Sequence, residues 1–94
     1  MTKIHQKQLS GATYQLTQYM DPESVMCYLG SKGILTNDEI EKINKNNTTN
    51  DQVKQLICLL QRKSDSAFFI LMEGLRETEQ LHVLTIIEQS GEYH

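Results

Sequence analysis

Helix-start signals recur at nearly equal intervals along this 94-residue chain, and they constrain its fold more than any other feature. Asp21-Pro22-Glu23 places a capping carboxylate, a proline and an early acid in the order that helix N-termini favour. Thr36-Asn37-Asp38-Glu39 has the spacing of a capping box. Three further starts are Thr49-Asn50-Asp51-Gln52, which repeats the capping-box pattern with Gln, Ser64-Asp65-Ser66 and Thr78-Glu79-Gln80. Together with an N-terminal segment, these signals predict six helices.

Apolar residues repeat with helical spacing inside these segments, and no window alternates with a period of two. The pattern therefore predicts an all-α protein whose short helices must pack together to be stable. In the second to fifth segments, the predicted core residues are Val25, Met26, Leu29, Leu35, Ile40, Ile43, Val53, Leu56, Ile57, Leu60, Phe68, Leu71, Met72 and Leu75. In the first and sixth segments they are Ile4, Leu9, Ala12, Leu16, Tyr19 or Met20, Leu81, Leu84 and Ile87 or Glu88.

The first helix contains Ser10-Gly11 near its middle. Because glycine in a helix interior costs about 1 kcal/mol relative to alanine, we expect this helix to be kinked or split near Gly11. The length fits one domain over residues 1–94, with a core from about residue 3 to residue 89. The tail, residues 90–94, is expected to fray.

Phe69 and Ile70 follow Phe68, a predicted core residue, and they cannot share one narrow buried stripe with Phe68, Leu71 and Leu75. Two interpretations remain open. The fifth helix is either central and buried on more than one side, or it offers an apolar contact to a partner.

Catalytic and metal-binding chemistry have no support in the sequence. Cys27 and Cys58 lie in apolar stretches without paired spacing, so we expect buried free thiols in a reducing compartment. The histidines His5, His82 and His94 have no metal-ligand spacing, and no base is placed beside a thiol. We therefore expect neither an enzyme nor a cofactor. The absence of an apolar signal core or membrane-span segment predicts a cytoplasmic protein that binds no membrane.

Charge is distributed unevenly along the chain. The net charge of −3 argues against general nucleic-acid binding, which needs a clustered basic face. Residues 1–20 and 47–64 are net basic, whereas residues 21–46 and 65–94 are net acidic. On charge alone, this alternation is explained equally well by chance and by a molecule that has one basic and one acidic surface.

Several ordered segments together resemble the caspase recruitment domain (CARD) family of the death-fold superfamily. Leu35-Thr36 with the acidic stretch Asp38–Ile43 is similar to the start of the third CARD helix, and Asn50–Ile57 is similar to the fourth. Ser66-Ala67-Phe68 followed by Gly74–Gln80 resembles the pattern that spans helices five and six. The resemblance covers roughly residues 10–89. The death-effector and pyrin subfamilies share the bundle, but the matches at 35–43 and 50–57 favour a CARD.

The resemblance implies a six-helix antiparallel Greek-key bundle without catalytic residues, which binds another CARD or itself and no nucleic acid. Such modules assemble or recruit caspases, adaptors or innate immune receptors in apoptosis or inflammation, and they can form rings or helical oligomers. Their commonest contact joins a basic surface on helices one and four to an acidic surface on helices two and three. Here it implies a basic patch of Lys7, Lys54, Arg62 and Lys63 and an acidic patch of Glu23, Asp38, Glu39 and Glu41.

The chain departs from strongly basic CARD members at Thr13 and Asn50, where those members have arginine. Three hypotheses therefore remain. The chain is an adaptor or sensor module that uses both patches, or a decoy or inhibitory CARD that uses only one. A different class, a structural or nucleic-acid-binding helical bundle, is opposed by the net negative charge.

Overall fold

The computed structural model describes residues 1–90 and contains six helices, as the sequence predicts. No strand occurs in this part of the chain, so the expected all-α architecture is confirmed. The helices are α1 (Lys3–Tyr19), α2 (Pro22–Ser31), α3 (Asn37–Asn44), α4 (Thr49–Gln61), α5 (Asp65–Glu77) and α6 (Leu81–Ser90).

All six helices contribute side chains to one hydrophobic core. Helix α1 packs between α4 and α6, α5 packs on α2 and α6, and α2, α3 and α4 contact one another. Leucines from four helices, Leu16, Leu29, Leu56 and Leu71, are fully buried. Burying one such side chain contributes about 1.5–3 kcal/mol, so the shared core is the main source of stability for helices this short.

Capping residues determine where the helices begin. The Thr36 hydroxyl accepts from the Glu39 N–H at 3.1 Å, and the Glu39 carboxylate accepts from the Thr36 N–H at 3.0 Å, which is the predicted capping box. The second predicted box is wrong by one residue. Thr48 caps α4 by accepting from the Asp51 N–H at 3.1 Å. The Gln52 side chain, which the predicted box would use, instead donates to the Asn46 carbonyl at 3.3 Å.

The predicted start of the sixth helix is also wrong. Thr78 caps the C-terminus of α5, and its hydroxyl donates to the Gly74 carbonyl at 2.8 Å. Glu79 then has a φ of 61°, in the left-handed region that ends a helix. Consequently α6 begins only at Leu81. The buried Gln80 side chain bridges this turn to α2, since its Oε1 accepts from the Asp21 N–H at 2.8 Å.

Most predicted core residues are buried or half-buried, but the register differs at two helices. Ile4 is 72% exposed, because its position is out of line with Leu9, Ala12 and Leu16. At the other end of α1, Met20 is buried whereas Tyr19 is exposed.

Helix α6 buries Ile87, one of the two predicted alternatives, but its buried stripe contains Val83 and not Leu81. Val83 and Ile87, four residues apart, are fully buried. Leu81 is 55% exposed, Leu84 is half-buried and Glu88 is exposed. The apolar pattern of this helix allowed more than one stripe, and packing against α1 and α5 selects the one that contains Val83.

Helix α1 runs through Gly11 without interruption, so the expected split is not present, whereas a kink stays a prediction. A Cβ atom built on Gly11 would meet only the Ser90 Cβ, at an ordinary 3.8 Å. Ser90 ends α6, and its hydroxyl donates to the Gln8 carbonyl at 2.7 Å. The rest of the tail that was expected to fray, residues 91–94, lies outside the described residues.

The prediction that both cysteines are buried is wrong. Cys27 and Cys58 are free thiols, but both are exposed. Each directly follows a buried residue, Met26 or Ile57, and the helical turn carries the next side chain off the buried stripe. The expectation of a reducing compartment therefore has no support from burial of the thiols.

Phe69 is 59% exposed, and Ile70 is only partly buried. Helix α5 packs against both α2 and α6, so burial on more than one side, the first interpretation, holds for the helix but does not extend to Phe69. The Phe69 ring contacts the Phe68 ring edge-on, with centroids 5.7 Å apart. Exposure leaves the alternative, an apolar contact for a partner, as a prediction.

Gly74 allows α2 and α5 to approach closely. A Cβ atom at this position would lie 2.8 Å from Cδ2 of Tyr28, which is closer than side chains tolerate. The Tyr28 ring cannot easily move, because its hydroxyl donates to the Glu73 carboxylate at 2.7 Å. The same hydrogen bond, to a negatively charged acceptor, raises the pKa of Tyr28 to about 12.

We expect opposite effects from alanine at the two helical glycines. Gly11→Ala should stabilise the protein by about 0.5–1 kcal/mol, since alanine favours the helix and nothing crowds its Cβ. Gly74→Ala should destabilise it by about 1–2 kcal/mol, because displacing Tyr28 outweighs the gain in helix propensity. Urea unfolding followed by circular dichroism measures both.

Tyr28→Ala provides the control for this comparison. In that background the ring is absent, so Gly74→Ala should lose most of its cost. An unchanged cost in the Tyr28→Ala background would contradict the proposed close contact.

Candidate protein-interaction site

The acidic patch lies along α2 and α3, where the first turns of the two helices supply most of its residues. Glu23 is in the first turn of α2, and Asp38 and Glu39 are in the first turn of α3. Acidic residues are stabilised at these positions by the helix dipole. Glu23, Asp38 and Glu41 are exposed, and within residues 1–90 none of them forms an ion pair. These three carboxylates can therefore contact a partner.

Glu39 is the exception within the acidic patch, because it is bound within the molecule. Its two carboxylate oxygens accept from the Lys63 ammonium at 3.1 and 3.0 Å, and one of them also accepts from the Thr36 N–H. The Thr36 N–H, followed by Lys63, holds the pKa of Glu39 below its ordinary value, while partial burial opposes this effect. Glu39, predicted for the acidic patch, is thus paired with Lys63, predicted for the basic patch.

The basic side of the molecule is formed where α1 and α4 pack together. The Gln61 amide donates to the Gln6 carbonyl at 2.9 Å and to the Ser10 hydroxyl at 2.8 Å. Lys54 lies seven residues before Gln61, two helical turns away on the same side of α4, and it is exposed. Lys3 lies seven residues before Ser10 and is likewise exposed. The sequence-based basic patch omitted Lys3, although helical spacing could have placed it beside α4.

Two of the other three predicted basic residues, Lys7 and Lys63, have surroundings different from those of Lys54. Lys7 lies on the α6 side of α1, where it lines a shallow hollow with Gly11, Ile86 and Ser90. Arg62 is exposed at the C-terminal end of α4, and Lys63 is paired with Glu39. The basic surface is therefore sparser than the four residues suggest.

Thr13 and Asn50, the two positions where strongly basic CARD members have arginine, add no positive charge to this side. The Thr13 hydroxyl donates to the Leu9 carbonyl at 2.7 Å within α1. Asn50 is exposed in the first turn of α4, four residues before Lys54.

A hollow between α2 and α3 lies beside the acidic patch, and sequence reasoning missed it. Its volume is about 270 Å³, and its lining residues are Glu23, Met26, Cys27, Ile40, Asn44 and Gln52. Only the packing of three helices creates this hollow. No signal in the sequence indicated the hollow, because its lining residues come from three separate helices.

A second cluster that the sequence did not reveal joins the start of α1 to the start of α5. The His5 ring stacks on Phe68 with centroids 4.1 Å apart and contacts Phe69 edge-on at 5.2 Å. His5 Nδ1 lies 3.0 Å from the Asp65 carboxylate. The Thr2 N–H and then His5 lower the pKa of Asp65. His5 thus replaces Ile4 as the side chain that attaches the first turn of α1 to the bundle.

Comparison with known proteins identifies the fold. The family model of the caspase recruitment domain matches residues 6–90. The chain belongs to the caspase recruitment domain family. A search of the curated proteins finds no match.

Family membership establishes the general character of this CARD. CARDs are non-catalytic modules that bind other death-fold domains homotypically. The six helices of this chain are those of the death fold. Among residues 1–90, every helix is too short or too polar to span a lipid bilayer. The same residues contain no cluster of three or more His, Cys, Asp or Glu side chains that could hold a metal ion.

We expect the charge of Glu39 to stabilise this CARD in a pH-dependent way. Glu39→Gln retains an acceptor for Thr36 but removes the ion pair with Lys63, which should cost about 0.5–1 kcal/mol at neutral pH. Because folding lowers the pKa of Glu39, its contribution is present above the ordinary value of 4.5 and is lost as the pH falls through the folded-state value. Urea unfolding across this pH range measures the difference.

Glu41→Gln is the matched control, since it makes the same change of charge on the same helix at an exposed position without an ion pair among residues 1–90. Its effect on stability should be small at every pH. Equal pH dependence in both variants would mean that net charge, and not the Glu39 contacts, accounts for the effect.

Proposed function

We propose that this CARD is a non-catalytic adaptor or sensor module that binds another CARD, or a second copy of itself, through surfaces of opposite charge. Its binding brings together the signalling proteins that contain the CARDs, which are caspases, adaptors or innate immune receptors in apoptosis or inflammation. The site of action that we propose is the cytoplasm. Family membership carries this proposal, and the two charged sides of the bundle support it.

The two charged surfaces lie on different helices of the bundle. Glu23, Asp38 and Glu41 lie on α2 and α3, whereas Lys54 lies on the side of α4 that faces α1. Opposite charges guide encounter and determine register more than they add affinity. Because the two surfaces differ, one molecule can bind a neighbour at each, and this arrangement builds rings or helical assemblies.

We expect the purified CARD to self-associate weakly at low salt, and the association should weaken as salt is added, since exposed charges are screened. Reversing one surface with Lys54→Glu or with Glu41→Lys should leave each variant monomeric. An equimolar mixture of the two should associate, because each variant retains the surface that the other has lost. Light scattering over a series of concentrations and salt levels measures the size, and circular dichroism verifies folding.

Glu41, and not Glu39, is the acidic residue to reverse, because Glu39 also caps α3 and binds Lys63. Glu88→Lys on α6 is the matched control, with the same change of charge at an exposed position away from α2 and α3. The two-surface proposal fails if Glu88→Lys abolishes association as effectively as Glu41→Lys does.

A decoy or inhibitory CARD is the second candidate, and the sparse basic side favours it. Lys63 is occupied by Glu39, Lys7 lies towards α6, and Asn50 carries no charge. A decoy binds a partner through its acidic side and ends the assembly there. If Lys54→Glu leaves binding to a partner CARD intact while Glu41→Lys abolishes it, the decoy hypothesis replaces the adaptor hypothesis.

A further inference from the structure

A second hollow, between α1 and α6, has the volume of a small-molecule site. Its lining residues are Lys7, Gly11 and Gln15 from α1 and Ile86, Gln89 and Ser90 from α6. We call it the α1–α6 hollow. Its volume is about 490 Å³. Pockets that bind small molecules typically measure about 300–1,000 Å³, so a small molecule is the occupant that the volume favours.

Contacts at both ends of the two helices hold the walls of the α1–α6 hollow in place. The Ser90 hydroxyl donates to the Gln8 carbonyl at 2.7 Å, and Gln8 Nε2 donates to the Ile87 carbonyl at 3.4 Å. At the opposite end, the rings of Tyr19 and His82 meet edge-on with centroids 5.9 Å apart. Because both ends are held, the hollow is formed before a ligand binds, and no free energy is lost in arranging the helices.

Gly11 keeps the α1–α6 hollow open. It is exposed in the middle of α1, where glycine favours the helix less than alanine does. A Cβ atom at this position would meet only the Ser90 Cβ, at an ordinary 3.8 Å, so packing within residues 1–90 does not require glycine. A longer side chain would project beside Ser90 into the hollow. Residues that lower stability without a packing reason are expected at functional sites.

The charge at the α1–α6 hollow is positive. Lys7 is exposed and forms no ion pair among residues 1–90. Helix α1 contains no acidic residue. Glu88 is the acidic residue of α6, but it lies two positions from both Ile86 and Ser90, about 200° around the helix, and so points away from the hollow. Lys7 therefore favours a ligand with an anionic group.

The other polar groups of the lining suit ligand hydroxyls. Gln15 and Gln89 are exposed, and each amide has donor and acceptor atoms that a hydroxyl can match. The single hydroxyl proton of Ser90 bonds to the Gln8 or the Ile87 carbonyl, so its oxygen is left to accept from a ligand hydroxyl. Within residues 1–90 no aromatic side chain lines the hollow, so a nucleobase lacks a stacking partner there.

We propose that the α1–α6 hollow binds a small phosphorylated polyol. Its phosphate contacts Lys7, and its hydroxyls contact the two glutamine amides and the Ser90 oxygen. A phosphate monoester suits Lys7 better than a carboxylate does, because it has a larger negative charge and three acceptor oxygens. With one exposed cation, we expect a Kd of about 0.1–1 mM. This binding goes beyond the proposed function, which depends on the charges of α2, α3 and α4.

The probe is inositol monophosphate, a polyol ring with one phosphate. Its titration into the isotopically labelled 94-residue chain, followed by NMR chemical shifts, measures weak binding and locates it. We expect shifts of the backbone amides of Gly11 and Ser90 and of the side-chain amides of Gln15 and Gln89. Inorganic phosphate and unphosphorylated inositol, which each lack one part of the probe, should bind about tenfold more weakly.

Lys7→Gln should weaken binding of the probe about tenfold, because it removes the cation that contacts the phosphate. Lys45→Gln is the matched control, with the same change of charge at an exposed position at the end of α3. It should leave the Kd unchanged.

Gly11→Leu should abolish binding without destabilising the protein, because leucine fills the hollow and favours a helix more than glycine does. Urea unfolding verifies that stability does not fall. Gln18→Leu, at an exposed position of α1 outside the lining of the hollow, should retain binding. The pair of variants separates loss of the site from loss of the fold.

The same chemistry occurs in soluble polyol phosphates and in the headgroups of phosphoinositide lipids. Co-sedimentation with phosphatidylcholine vesicles that contain phosphatidylinositol phosphate, compared with phosphatidylserine vesicles of equal charge, separates the two sources. Sedimentation with the phosphoinositide vesicles alone, lost in Lys7→Gln, identifies a lipid headgroup. Binding of the soluble probe without sedimentation identifies a soluble ligand, and both results support the site.

The proposal is overturned if the folded wild-type protein shows no shifts with the probe. Inorganic phosphate that binds as tightly as inositol monophosphate would reveal a general anion effect and also overturn it. Equal losses in Lys7→Gln and Lys45→Gln, or retained binding in Gly11→Leu, would show that the hollow is not the site. None of these results bears on CARD association, which the light-scattering series tests through Lys54 and Glu41.

Discussion

Shared burial of apolar stripes is the constraint on which the whole molecule depends, because most of its helices are too short to be stable alone. Helix α3 has eight residues, α2 and α6 have ten each, α4 and α5 have 13 each, and α1 has 17. Isolated helices shorter than about 12–15 residues are marginal in water. The core that α1 closes between α4 and α6 therefore holds each helix in place. The position of every charged surface residue follows from how these helices pack.

The acidic side of the bundle is partly a consequence of helix capping. Asp21 and Glu39 each accept a hydrogen bond from a free backbone N–H at the starts of α2 and α3, and the helix dipole favours Asp38 in the first turn of α3. Capping does not explain Glu41, which lies beyond the first turn of α3. Nor does capping explain the apolar hollow beside Glu23. These two features belong to the partner-binding surface that we propose.

The Glu39–Lys63 pair connects the fold to the function. It joins the start of α3 to the turn that follows α4, and it uses one cation and one carboxylate that sequence reasoning had assigned to opposite binding surfaces. An ion pair at this degree of exposure is worth only about 0–1 kcal/mol, so we propose that its larger effect is on recognition. The pair reduces the unpaired positive charge that the turn after α4 presents to a neighbour. The Glu23 side of the acidic patch is then the surface that attracts a partner more strongly.

The sequence by itself determined the number of helices, the fold class and most of the core, because capping signals and apolar spacing are local properties. Its resemblance to the CARD family indicated the family. Prediction from the sequence was wrong where two neighbouring residues, or two apolar stripes of one helix, suited the same role almost equally well. Thr48 and Thr49 could each cap α4, and α6 had alternative stripes containing Leu81 or Val83. Only the tertiary structure decided these, together with the exposure of Cys27, the pairing of Lys63 with Glu39 and the hollow between α2 and α3. Each of these depends on residues from different helices meeting in space, and helical periodicity carries no information about such contacts.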